Sequence, residues 1–289
     1  MPGLLPLLRL LRAGTLFSPA ADVLAGRCIL AAAGESIWHE DLVRLMAASA
    51  LIYAAGMVFN DVADVDEDRA QRPERPIPRG EISRPVAALL GLLLLGGGVA
   101  LSPASLHHGI LAGLVLLYDF AAKRAALPGA LCMGTLRGLN LASAAAMLGI
   151  AAPTTLIAAA ACYGVYVFAI TILGQFEDDR SVRPRAVAAI QGAPMWAALG
   201  GLLSVQDGLW PAPAIALLPI LSFARRNRSI TTWGQPEIRA SMGYLLLGLL
   251  GYTGLCCLAA GRAIECVAVI ACILPARWIT KRLRLASLT

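Results

Sequence analysis

The chain has 289 residues, of which 58% are hydrophobic and only 15% charged, against about 25% charged in an average soluble domain. That balance excludes an ordinary soluble fold. Apolar runs near the length of about 20 residues that a membrane-spanning helix needs recur along the whole chain. The net charge of +6 lies between these runs, so it is read as a topology signal, and no nucleic-acid partner is expected.

In chain order, Arg9 and Arg12 interrupt the first apolar residues, so no cleavable leader is expected. Spans are then expected near 14–34, 41–60, 84–102, 106–122, 128–149, 153–176, 186–205, 209–224 and 238–260, with 263–280 as a tenth. The runs are continuous rather than alternating, which favours helices over a barrel. The expected fold is an all-α polytopic membrane bundle of nine or ten transmembrane helices around a central cavity, one domain over residues 1–289. If the loop after the second span faces the cytoplasm, all but four of the 24 Lys and Arg fall on that side; the exceptions are Arg27, Arg44, Arg137 and Arg262. This asymmetry predicts an integral protein of a bacterial-type inner (plasma) membrane with its polar site facing the cytoplasm. The seven cysteines all lie in apolar segments without a CxxC pair and are read as small buried hydrophobes.

The second span ends in "NDVADVDEDRAQRPERPIPRG", with five carboxylates between Asp61 and Asp68. They repel one another unless a cation or arginines compensate. Asn60, Asp64 and Asp68 recur at i, i+4 and i+8, so a continuing helix puts them on one stripe. Asp61 and Asp66 are expected to point elsewhere. Such a partial oxygen set suits Mg²⁺, which takes one or two carboxylates and completes its shell with water and phosphate. The following Pro73, Pro76 and Pro78 forbid a helix and predict a stiff extended turn. That turn would hold Arg72, Arg75 and Arg79 near the acidic end, where guanidinium groups clamp phosphate. Lys123 and Arg124 close the fourth span on the same side. The sixth span ends in "GQFEDDRSVRPRA", where Gln175 and Asp179 repeat the i, i+4 spacing beside Glu177 and Asp178, with Arg185 six residues on.

The first stretch resembles the first signature of the UbiA superfamily of intramembrane prenyltransferases, an NxxxDxxxD helix end followed by an RPxRPxPxG-type loop. "YDFAAKR" is similar to that family's Tyr–Lys element, and "QFEDDRSVRPRA" falls where it carries a second aspartate motif. The resemblance leans toward a divergent, EboC-like subgroup. It implies Mg²⁺-dependent transfer of a prenyl group from a polyprenyl diphosphate to an aromatic or lipid-like acceptor in the bilayer. It also implies that Asn60, Asp64 and Asp68 hold one Mg²⁺, and that Asp179, with Asp178 and the departing residue Gln175, holds a second. Asp64, Asp68 and Asp179 are then the catalytic aspartates, and Arg72, Arg75, Arg79, Lys123 and Arg185 bind diphosphate.

Within the apolar segments, Arg137 and Asn140 are polar residues about one turn apart, and an intramembrane charge marks a functional candidate. With Tyr118 they are expected to line the substrate cavity, a structural pairing of Arg137 being the alternative. Asp22 is expected to pair with Arg27 or line the rim. Arg12 either reaches the diphosphate or anchors at the interface. Two other functions compete: a transporter, which leaves the arginine turn unexplained, and a weakened relative serving as a partner in a membrane complex, favoured by Gln175 alone.

Overall fold

The structure, a computed structural model, describes residues 3–31, 36–176, 184–205, 211–230 and 233–285. A short helix, α1 (Leu4–Leu10), precedes a sharp turn at Arg12 and a 3₁₀ turn, Ala13–Thr15. Then come α2 (Phe17–Leu30), α3 (Leu42–Ala63), α4 (Val65–Gln71), α5 (Arg84–Leu101) and α6 (Ser105–Phe120). A 3₁₀ turn, Ala122–Arg124, leads to α7 (Ala126–Met147) and α8 (Thr154–Gln175). The chain continues through α9 (Pro184–Ser204), α10 (Pro211–Arg228), α11 (Gln235–Ala259), α12 (Ala263–Ala271) and α13 (Ile273–Leu285). No strand occurs among the described residues. The protein is an all-helical bundle, as its continuous apolar runs require. Two helices differ from the expected set: α1 lies before the first span, and α4 continues beyond the second.

Among the described residues six stretches are long and apolar enough to cross a membrane: α3, α5, Ser105–Arg124, α8, α11 and Ala263–Leu283. The other long segments are α2, with 14 residues, α7, which buries Arg137 and Asn140, and α9 and α10, each with an internal proline. The outer surface is apolar. Leu89, Leu92 and Leu93 of α5, Leu106 and Ile110 of α6, and Ile264 and Val267 of α12 are all exposed, as expected where lipid rather than water surrounds the fold. The chain is an integral membrane protein.

Inside, the largest core joins α2, α7, α8, α9 and α11. α7 and α8 pack closely over their length. A Cβ at Gly134 would lie 2.6 Å from the Gly164 carbonyl oxygen, and one at Gly138 would lie 2.8 Å from that of Ala160. Small residues let two backbones meet where no hydrophobic effect drives helix association in lipid. At their far ends α7 and α11 both stop on a glycine in the left-handed region, Gly149 (φ 65°) and Gly261 (φ 77°). The amides of Gly149 and Ile150 return to the carbonyls of Ala146 and Ala145. The same closure follows α11, and both are glycine-terminated helix ends.

Candidate active site

The acidic stretch does not continue as one straight helix. α3 ends at Ala63, and Asp64 adopts φ −94°, ψ 12° before α4 begins. The amide ladder persists through the bend, Asp64 N–H donating to Asn60 O and Asp68 N–H to Asp64 O. The bend separates the expected stripe into two ion clusters. Asn60 and Asp64 stay on α3's line beside α6, while Asp68 turns toward the arginine loop.

In the first cluster, Lys123 Nζ lies 2.7 Å from Asp64 Oδ1 and 4.0 Å from Asp119 Oδ1. Asn60 Nδ2 donates to Asp119 Oδ1 at 3.4 Å, and its Oδ1 accepts from Arg12 Nη2 at 3.4 Å. Tyr118 is half-buried within electrostatic range of Asp64, Asp119 and Arg12. In the second cluster, Asp68 is wholly buried. It sits 2.5 Å from Arg75 Nη1 and 3.6 Å from Arg72 Nη1, and its Oδ1 has no hydrogen-bond partner. Asp61 joins the two clusters, lying 3.1 Å from both Arg12 Nη2 and Arg75 Nη1. The expectation that Asp61 points away is therefore corrected: it is buried, because the bend at Asp64 brings the arginine loop back over that face. Asp66 does point outward, paired with Arg69.

The proline-rich segment is a wound series of turns rather than an extended one. Arg79 N–H donates to Arg75 O, and the amides of Glu81 and Ile82 both reach Pro76 O. Ile77 and Ile82 anchor it in an apolar cluster with Leu10, Val58, Val62 and Val65. Arg72 and Arg75 are thereby held against the carboxylates. Arg79 is not; it turns to Glu81 at 3.5 Å, a carboxylate shared with Arg9 at 3.0 Å. Arg12 is the one non-glycine residue with positive φ (48°) among the described residues. Such a conformation costs on the order of 1–2 kcal/mol, and here it aims the guanidinium at Asn60 and Asp61. A cavity of about 250 Å³ opens beside this point, lined by Arg9, Arg12, Thr15, Arg75 and, from α13, Thr280.

Arg137 and Asn140 are placed differently from the expected cavity wall. Both are buried. Arg137 Nη2 donates to Asp22 Oδ1 (3.0 Å), Tyr163 Oη (2.6 Å) and Ser18 Oγ (2.5 Å). Asn140 Nδ2 donates to Asp22 Oδ2 at 2.9 Å, and Asn140 Oδ1 accepts from Ser49 Oγ at 2.6 Å. Asp22 thus pairs with Arg137 and not with Arg27, which donates to Ser36 O instead. The pairing across helices wins because Asp22 is buried against α7, where Arg137 Nη2 lies 3.0 Å away. Arg137 also lies over the half-buried Tyr53, 5.8 Å from its ring centre, two turns up α3 from Asn60.

Gln175 is exposed at the end of α8. Asp178 and Asp179 lie outside the described residues, as does the Arg185 side chain. Asp119 is a site residue that sequence reasoning missed. Asp119 carried a signal, a carboxylate inside an apolar segment four residues before Lys123.

Residues 22–247 match the UbiA prenyltransferase family. The chain belongs to that family. Curated relatives include digeranylgeranylglyceryl phosphate synthases of Metallosphaera sedula, 36% identical over 114 residues (37% of this chain, 40% of the relative), and of Methanoculleus marisnigri, 34% identical over 134 residues (45% and 48%). The matched region spans less than half the length of these relatives. The UbiA homologue of Archaeoglobus fulgidus bound to DMAPP and Mg²⁺ superposes with a TM-score of 0.63 over 92% of this chain and 99% of the homologue, at 16% identity. The shared UbiA fold brings together the start of α2 and the ends of α3 and α6 at one edge of the bundle.

Proposed function

We propose that this UbiA member transfers a prenyl group from a prenyl diphosphate to an acceptor within the membrane, in a Mg²⁺-dependent reaction at the cytoplasmic face. One observation carries the reading. Oxygen donors (Asn60, Asp61, Asp64, Asp68, Asp119) and cations (Arg12, Arg72, Arg75, Lys123) interleave at one end of apolar helices.

The residues fit a divalent cation shared with a phosphate ligand. Among the described residues no three Asp, Glu, His or Cys converge into a complete protein cage. Mg²⁺ does not require one, since it usually keeps one or two carboxylates and takes water and phosphate oxygens for the rest. Asp64 already holds a cation, Lys123, at contact distance, and Asp68 has a buried oxygen without a hydrogen bond. Asn60 and Asp64, together beside Lys123, would hold one Mg²⁺, and Asp68, across the bend with Arg75, would join that ion only by leaving the arginine; Asp179, with Asp178 and Gln175, is the proposed second set. Bound Mg²⁺ supplies positive charge against the leaving diphosphate.

The chain's own residues do the rest. Arg72, Arg75 and Lys123 are preset donors for phosphate oxygens, held in place before ligand arrives, and such preorganisation is where electrostatic stabilisation originates. Arg12 extends the clamp, and Arg185 is a further diphosphate ligand proposed from its place after the second motif alone. Tyr118, half-buried within electrostatic range of Asp64 and Asp119, is proposed to line the substrate cavity. The apolar helices keep water from a carbon that develops positive charge.

The acceptor read from the sequence was aromatic or lipid-like. The relatives' name, a glyceryl phosphate carrying two geranylgeranyl groups, supports a prenylglyceryl phosphate over an aromatic ring. The test uses purified protein in nanodiscs with Mg²⁺, geranylgeranyl diphosphate, and either a prenylglyceryl phosphate or an aromatic acid. Diphosphate release with the first acceptor, abolished by EDTA and lowered at least 100-fold in Asp64→Ala, is the expected result. Release unaffected by either, or none at all, overturns the reading.

A further inference from the structure

A carboxamide has two unlike ends, and only its oxygen ligates a cation. Which end Asn60 presents is decided by its neighbours. Its Nδ2 faces Asp119 Oδ1 at 3.4 Å and its Oδ1 faces Arg12. Asp119 offers an acceptor and is 3% exposed, at the buried end of α6. Its second partner is Lys123, one turn later, which already holds Asp64. The two pairs form adjacent rungs between α3 and α6: Asn60 with Asp119, Asp64 with Lys123.

We infer that Asp119 is a positioning residue: it takes the NH₂ end of Asn60 and so turns the amide oxygen toward the bound cation. It acts as an outer partner fixing the orientation of a ligand, a role whose loss typically weakens metal affinity about 10–100-fold. The inference rests on the prenyl diphosphate reading, because only there does Asn60 ligate a metal. Nothing else at this position requires a carboxylate: Lys123 has Asp64 as its nearer counter-ion, and an unneeded buried charge is costly in a membrane segment.

The hydrogen-bond role separates from a mere charge role by substitution. Asp119→Asn keeps an acceptor oxygen and removes the charge; Asp119→Ala removes both. The measurement is Mn²⁺ binding by electron paramagnetic resonance, with geranyl S-thiolodiphosphate present, in wild type, both variants, and both combined with Asn60→Ala. Asp119→Ala is expected to raise the half-saturating Mn²⁺ concentration at least tenfold, Asp119→Asn no more than about threefold. In Asn60→Ala, where no amide remains to orient, Asp119→Ala is expected to add less than twofold. Equal shifts in the two variants, or a full Asp119→Ala effect persisting in Asn60→Ala, overturn the inference and leave the prenyl diphosphate reading intact. Absence of Mn²⁺ binding in wild type sinks both. If Asp119→Ala does not yield folded protein, Asp119→Leu, of similar volume, takes its place in the same cycle.

Discussion

Arg137 and Asp22 show what one residue does in this fold. Arg137 reaches Ser18, Asp22 and Tyr163 with a single terminal nitrogen, and Asp22 also takes Asn140. Removing one partner of a buried pair leaves an uncompensated charge, at about 3–5 kcal/mol. Arg137→Met is therefore expected to unfold at markedly lower temperature in detergent, and Asp22→Asn combined with Arg137→Met is expected to recover most of the loss. Thermal unfolding of the three proteins checks this; equal losses in single and double variants would show that the pair itself carries little. The sequence marked Arg137 and Asn140 as exceptional but could not name their partner. Asp22 lies more than a hundred residues earlier, and only the packing of α2 against α7 brings them together. Asp61 was misread for a related reason: a helical wheel assumes a straight axis, and the axis bends at Asp64.

At the scale of elements, the α7–α8 contact positions more than the core. α7 begins three residues after Lys123, and Gly129 near its start already lies against the Lys123 backbone, where an added Cβ would be 3.0 Å away. Gly134→Val would push the Gly164 backbone, which cannot give way as a side chain can. Overpacking of this kind typically costs about 1–3 kcal/mol. The expected outcome is a lower unfolding temperature together with weaker Mn²⁺ binding, because displacing α7 displaces Lys123. Gly113→Ala on α6, with open space at its Cβ, is expected to leave both unchanged. A Gly134→Val protein matching wild type in both measurements would show that α7 does not govern the site. Element existence was readable from hydropathy, since each apolar run became a helix or a helix pair. The short α1 was not, because seven residues give too little periodicity to register; α4 continues the helix expected past Ala63, but the bend at Asp64 was not legible.

Across the whole molecule, the segments assigned by their basic residues to one side do meet. Arg12 before α2 touches Asp61 at the end of α3, Lys123 after α6 touches Asp64, and Gly14 packs against Ala276 and Thr280 of α13. This convergence supports the alternating topology, and its orientation is testable. A cysteine replacing the exposed Glu67 is expected to react with a membrane-impermeant maleimide only in inverted or opened membranes. One replacing the exposed Ala151, at the other end, is expected to react in intact cells. The opposite pattern would reverse the assigned orientation and move the site outside.

The amino-acid sequence by itself determined the environment, the helical class, and the identity of the first acidic motif with its arginine turn. Those follow from local properties: apolar run length, the satisfaction of backbone polar groups, and the i, i+4 spacing of Asn60 and Asp64. Tertiary structure alone decided which cation meets which carboxylate. Lys123 faces Asp64, Arg75 bridges Asp61 and Asp68, Arg137 meets Asp22, and Asp119 meets Asn60. Each of these pairs joins different helices or a helix and a returning loop, and charge pairing at a few ångströms depends on interhelical geometry that no spacing along the chain encodes.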